Sequence, residues 1–296
     1  MLGRLDVVQY RPRNPYTLQY NLTVQRELWR NTALTLSYAG ERGVHLTRLI
    51  DANQALPQVL ADGRKFFPAN SPERNPSFTG IRHKVTDANS LYQAFHVLFE
   101  RRWTRGLQLK TSYVYSQNID EGSLTVTQGG DNDLPQDPDS RRAERGLSNY
   151  DLRHRFVVHF THELPALPGA SWLGRGWQWN GVATLASGNP FSVLVGFDRA
   201  GARFQSGTNP QRPDLVAGRS GNSVLGGPDR YFDPRAFSLP DPGFYGNLGR
   251  NTLIGPGPVG SAGRITATAT TSRQLQFGLK LMFLRFAALR AISRRW

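Results

Sequence analysis

Cysteine is missing from all 296 residues, so neither a disulfide framework nor a thiolate metal site is available. Lysine is scarce, and the formal charge of +14 comes almost wholly from arginine. No apolar run approaches the roughly 18 residues of a membrane-crossing helix. Residues 1–6 lack both the apolar core and the cleavage site of a secretory signal. Hydrophobic residues make up only 39% of the chain, whereas 30 glycines and 19 prolines suit strands and loops better than helices. The length admits one large β-structure or two ordinary domains. So basic a chain could hold nucleic acid, lipid phosphate or an acidic ligand. Its arginines are scattered through loops and strand ends, not gathered in a stripe, which speaks against nucleic acid.

What is present is alternation. Tyr16, Leu18, Tyr20, Leu22 and Val24 occupy every second position, and Thr17, Gln19, Asn21 and Thr23 fill the gaps. In a strand this puts apolar groups on one face and polar groups on the other. The pattern recurs at about 32–46, 92–103, 107–116, 153–164, 177–185 and 274–283. That makes about seven strands of about 10–14 residues, long enough for a tilted strand to cross a bilayer. Residues 1–15 read as the tail of a loop, and Leu98 interrupts the alternation of its strand.

Shorter connections (about 28–31, 104–106 and 165–176) alternate with long ones (about 51–89, 120–150 and 196–263). In an antiparallel up-and-down sheet this collects the short turns at one end and the long loops at the other, the asymmetry of an outer-membrane barrel. Tryptophan follows the same division. Trp29 and Trp103 adjoin short turns, Trp172 lies in the moderate connection, and Trp177 and Trp179 begin the next strand. All fall at one level, as in an aromatic girdle at a membrane interface. The expected fold is therefore all-β, an antiparallel transmembrane barrel wall that seven strands leave partial. A soluble β-sandwich that binds carbohydrate through its aromatic faces is the alternative, and it should dispense with detergent.

Several longer strings carry a resemblance. They are Pro15-Tyr-Thr-Leu-Gln-Tyr-Asn-Leu-Thr-Val-Gln-Arg-Glu-Leu28, Tyr38-Ala-Gly-Glu-Arg-Gly-Val-His-Leu46, Leu98-Phe-Glu-Arg-Arg-Trp-Thr-Arg-Gly-Leu107 and Tyr113-Val-Tyr-Ser-Gln-Asn-Ile-Asp120. Most distinctive is Arg142-Ala-Glu-Arg-Gly-Leu-Ser-Asn-Tyr-Asp-Leu-Arg-His-Arg-Phe156. Ser187-Gly-Asn-Pro-Phe-Ser-Val193, Arg212-Pro-Asp-Leu215, Tyr231-Phe-Asp-Pro-Arg-Ala-Phe237 and Gly249-Arg-Asn-Thr-Leu-Ile-Gly-Pro-Gly257 follow in order. In these the chain resembles the C-terminal barrel region of TonB-dependent outer-membrane receptors of the Oar-like, acidobacterial type.

The resemblance implies substrate uptake across the outer membrane of a Gram-negative cell, driven by TonB through a plug domain. The partners it implies are outer-membrane lipid, lipopolysaccharide and the barrel assembly machinery, which reads a final-strand aromatic, here Phe283. Against that pattern, no plug, TonB box or signal peptide stands before Met1. One further hairpin expected between Gly257 and Gly263 is also missing. The expectation is a fragment of about seven strands (residues 1–283) that is inactive alone, followed by a basic extension (284–296). That extension lacks helix caps and reads more simply as without function than as an amphipathic surface helix.

Motifs for chemistry are weak. Gly255-Pro-Gly-Pro-Val-Gly260 matches a dinucleotide-binding string, but its prolines remove backbone N–H groups and no helix follows. His159 points away from His154 and His162 on a strand, so the three cannot converge on a metal. Asp131, Asp133, Asp137 and Asp139 lack the glycine and terminal glutamate of a Ca²⁺ loop. No constellation supports an enzyme or a cofactor. Arg141, Arg142, Arg145, Arg153 and Arg155 gather where the second long loop enters a strand. They are candidates for lipopolysaccharide phosphates or an anionic solute, or for salt bridges to Glu144, Asp139 and Asp151 that order the loop.

Overall fold

The structure, a computed structural model, describes residues 3–123, 134–165, 177–204, 209–226 and 230–255, and the backbone of 274–281. Seven long strands form one antiparallel wall. In chain order they are β2 (Tyr16–Trp29), β3 (Thr32–Asp51), β6 (Ile81–Thr104), β7 (Leu107–Asp120), β9 (His154–Glu163), β10 (Trp177–Ala186) and β15 (Gln274–Leu281). Each pairs with the next along this series, so the wall is an up-and-down meander. It does not close: β2 and β15 are its two edges, and neither has a second partner strand among the described residues.

Short elements complete the fold. They are β1 (Leu5–Val8), β4 (Gln58–Val59), β5 (Lys65–Phe66), β8 (Gly146–Leu147), β11 (Pro190–Phe191), β12 (Asp214–Leu215), β13 (Phe237–Ser238) and β14 (Leu253–Ile254). A one-turn helix α1 (Arg141–Glu144) is capped by the Ser140 side chain.

Two hairpins at one end are as tight as a chain allows. Arg105 and Gly106 both take positive φ (52° and 74°), the conformation of a two-residue turn whose twist matches its strands. Asn31 does the same beside Arg30 (φ 63°). Asparagine and glycine tolerate this region, so these turns fix the register of the pairs they join.

Register sorts the side chains into rows. Leu22 lies opposite Tyr38, Tyr38 opposite Phe95 and Phe95 opposite Tyr115. The next row of this face runs Val24, Leu36, Val97, Tyr113, Phe156 and Leu185. The other face carries Thr23, Ser37, His96, Val114 and Arg155 in one row and Glu27, Ala33, Glu100, Lys110 and His159 in another. Cross-strand polar pairs lie on that face: Thr23 Oγ1 donates to Ser37 Oγ at 3.0 Å, and Lys110 meets Glu100 at 2.8 Å. In these rows one face of the wall is thus apolar from strand to strand, and Leu22 on it is 67% exposed. Among the described residues no second sheet covers this face, as a sandwich would require.

The glycines of the apolar face are covered by rings. Tyr20 lies over Gly40 and Phe160 over Gly181, so a Cβ at either glycine would strike the ring. Phe160 also meets Trp179 edge-on at 4.9 Å. These cross-strand contacts fill the gaps that glycine leaves in a pleated surface.

The strands differ from the sequence expectation at the long-loop end. β6 begins at Ile81, not near 92, and β3 continues to Asp51, so much of the expected loop at 51–89 is ladder. Residues 1–15 are not only loop, because β1 pairs with β6 in parallel register. The reason is physical. At 81–90 both faces are mixed or polar, so no period of two marks the strand although its backbone pairing continues. Leu98, the break in alternation, stands on the polar face between Thr35 and Ser112.

Candidate functional site

Most of the buried residues lie not on the wall strands but in the loops above them. Residues 52–80, 134–153, 187–204, 209–226 and 230–255 gather over the long-loop end. Two pairs of short strands stitch this cap, β11 with β14 and β12 with β13, and β4 pairs with β5 in the first loop. Its small apolar centre is Ala55, Phe67, Ala200 and Ala202, with Phe204 and Tyr245 packed against it. Most of its largest fully buried side chains are polar: Gln54, Gln211, Glu144, Asn53, Asp151 and Ser148, with Asp51 beside them at the end of β3. Buried polar groups are costly unless hydrogen-bonded.

Glu144 is the hub. Arg212 donates to both its carboxylate oxygens, Nη1 at 2.8 Å and Nη2 at 3.0 Å, while Nε of Arg212 reaches the Leu248 carbonyl at 2.8 Å. The backbone N–H of Gln136 also donates to Glu144, and the Gln136 side chain accepts from the Arg212 N–H at 2.7 Å. A second cation, Arg250, ties the cap to the wall. It pairs with the carboxylate of Asp120, the last residue of β7, and donates from Nε to the Glu144 carbonyl at 3.0 Å. Burial pulls the Arg250 guanidinium down to about 10, which leaves it charged at neutral pH. Asn251 donates to the Leu147 carbonyl and to Asn149 Oδ1, joining the third loop to the second.

The described half of the acidic run, Asp137 and Asp139, is paired with cations. Lys65 Nζ reaches Asp137 at 2.7 Å and Asp139 at 3.0 Å, and Arg74 holds Asp139 through both its terminal nitrogens. Burial opposes ionisation of Asp139, but hydrogen bonds from Arg74 and Lys65 outweigh it and hold the carboxyl below its ordinary range. Burial, reinforced by Asp137, Asp139 and Asp198, pushes the Tyr245 phenol well above its ordinary range. Asp131 and Asp133 lie outside the described residues.

The five candidate arginines do not converge. Arg141 donates to the Asp87 carbonyl and lies 3.6 Å from Glu121. Arg142 is exposed on α1. Arg153 meets Asp151 at 3.4 Å, as one of the expected salt bridges, and Arg155 stands on the polar face opposite Val114 and Ala186. Arg145 alone lines a cleft of about 330 Å³ at the strand ends, together with Arg42, Asn89, Leu91, Ile119 and Glu121. The other expected bridges are replaced, since Glu144 pairs with Arg212 and Asp139 with Lys65 and Arg74.

His154 accepts or shares a hydrogen with the Tyr113 hydroxyl at 2.8 Å, and His162 lies by the Gly106 carbonyl at 3.2 Å. His159 is on the opposite face, beside Lys110. Trp29 and Trp103 stand at the two short turns, and Trp177 and Trp179 open β10 at that same end. Trp172, Phe283 and the extension 284–296 lie outside the described residues.

Glu144 is expected from sequence only as a salt-bridge partner of the neighbouring arginines, whereas Arg212, Arg250 and Asn251 carry no predicted role and Gln136 carries no motif at all. Arg212, Arg250 and Asn251 do sit inside the strings at 212–215 and 249–257 quoted above, so their signal is present as motif without a physical role. Comparison with known families supplies the context. The sequence pattern of the outer membrane beta barrel domain matches residues 3–277. Neither curated proteins nor solved structures give a match.

Proposed function

From the premise that this chain belongs to the outer membrane beta barrel domain family, and is thus an outer-membrane protein, we propose that it forms wall and external cap of a TonB-dependent receptor. In this reading the apolar face meets lipid and the polar face lines the lumen. The cap closes over the lumen from outside, where an arriving substrate first touches the protein. The seven described strands, with two open edges, do not enclose a pore, and in hydrocarbon each edge must find a partner strand. Uptake therefore waits on further strands and on a plug through which TonB acts, and the seven strands alone transport nothing.

The observation that carries the reading is the division of labour between the two ends. Tight turns and tryptophans occupy one, and an ordered cap joined to the wall by Arg250 and Asp120 occupies the other. A cap of that kind suits ligand capture. The named residues then take roles. Trp29, Trp103, Trp177 and Trp179 form the periplasmic girdle. Arg153 and Arg155 face the lumen, suited to an anionic solute, and Phe283 offers the terminal aromatic to the assembly machinery. The test is genetic: an in-frame plug encoded upstream of the Met1 codon supports the receptor. A promoter and signal sequence there, with no plug, would overturn it and leave only the barrel wall.

A further inference from the structure

We infer that the cleft bounded by Arg42 and Arg145 binds the phosphate of a phosphorylated glycolipid in the outer leaflet. This rests on the wall facing lipid. Register puts Leu18, Arg42, Leu91, Ile119 and Leu147 in one row, which belongs to the apolar face. Arg42 is thus a cation on the lipid side, in a row close to where β2 and β7 reach their long-loop ends. Arg145 precedes Gly146, the partner of Asp120, so it stands two positions beyond Leu147 along the same edge.

The acids nearby do not consume these arginines. Asp120 is paired with Arg250. Glu121 lies 3.6 Å from Arg141 and accepts from the Asn89 N–H and amide at 3.0 and 3.2 Å. The side chains of Arg42 and Arg145 are exposed and have no hydrogen-bond or ion-pair partner among the described residues. Two guanidinium groups over a floor of Leu91 and Ile119 match an amphiphile with an anionic head and acyl chains. Planar guanidinium groups grip phosphate bidentately, and do so more strongly at the low dielectric of the membrane boundary. The long-loop end fixes the leaflet as the outer one, whose phosphate-bearing lipid is a glycolipid.

The full chain, reconstituted in phosphatidylcholine nanodiscs, is titrated with diphosphoryl lipid A, its phosphate-free counterpart, phosphatidylglycerol or sodium phosphate, and adducts are read by native mass spectrometry. The wild type should retain diphosphoryl lipid A and not the phosphate-free form. Arg42→Gln with Arg145→Gln should lower retention at least tenfold, while Arg235→Gln, a charge control on the exposed cap surface, should leave it unchanged. Arg145→Gln alone, at an exposed side chain with no partner among the described residues, should lower it at least threefold if the double variant fails to insert. Equal retention by wild type and variants overturns the site. So does displacement of lipid A by equimolar phosphatidylglycerol or phosphate. A wild-type chain that inserts yet ignores lipid A removes this inference only, whereas a chain that stays folded in buffer and never enters the disc removes the wall itself.

Discussion

The wall wears its large apolar side chains outside, and the cap carries its charged ones inside. Leu22 and Val24 stand 67% and 58% exposed, whereas Glu144 and Arg212 are 2% and 4% exposed. Each part inverts the usual rule for a soluble domain, and each inversion names its surroundings. Moving a Leu or Val side chain from water into hydrocarbon gains about 1.5–3 kcal/mol, so the wall draws its stability from lipid. The cap has a four-residue apolar centre and draws cohesion from hydrogen bonds that leave almost no buried carboxylate unmatched. The two halves should therefore fail under different insults.

The largest separation is expected from Arg212→Ala. It strands Glu144 as a buried, unpaired carboxylate, a loss of about 3–5 kcal/mol. Hydrogen exchange should speed up across 134–153 and 209–255 while the β2–β3 ladder stays protected. A uniform rise over both regions would deny that the cap is a separate cooperative unit. Next comes Leu22→Arg, which costs about 2–4 kcal/mol of insertion if that position faces the bilayer core. Its neighbour Asn21→Arg, on the other face, should stay within about 0.5 kcal/mol. Denaturant titration of vesicle-inserted protein compares them, and equal costs would erase the distinction between faces.

A smaller effect, about 1 kcal/mol, is expected for Gly181→Ala, which drives the Phe160 ring off the strand and away from Trp179. The readout is tryptophan fluorescence in vesicles, which should shift for this variant and not for Gly63→Ala in the cap. The smallest effect is that of acid on the cap. The folded Asp139 carboxyl titrates below its ordinary value of 3.8, so its contribution is complete above that value and fades as pH falls through the folded one. Asp139 is partly exposed, and solvent screens its pairs. Exchange rates near Lys65 and Arg74, corrected for intrinsic pH dependence, should rise below about pH 4, while the wall should not respond.

How far the sequence reached follows the same border. Seven long strands, their order and the sorting of Trp29, Trp103, Trp177 and Trp179 were legible, because a wall between lipid and lumen imposes a period of two. Where the wall rises clear of that constraint, the period vanishes, and the first nine residues of β6 read as loop. The cap was nearly invisible. Glu144, Arg212 and Arg250 stand 68 and 38 residues apart in sequence, and no local rule couples them. The arginine cluster at 141–155 was a fair pointer to the place but not to the pairing. Arg42 escaped notice because a lone cation in a strand reads as a polar-face residue until the register is known.

The central claim is that alternate residues of β2 and β6 face hydrocarbon. The native chain has no cysteine, so single cysteines can carry nitroxide labels one at a time. In vesicles, relaxation by oxygen should peak at positions 22, 24, 95 and 97 and fall at 21, 23, 94 and 96, with a water-soluble nickel chelate giving the opposite phase. A profile without that two-residue swing, or one with its phase reversed, contradicts the account.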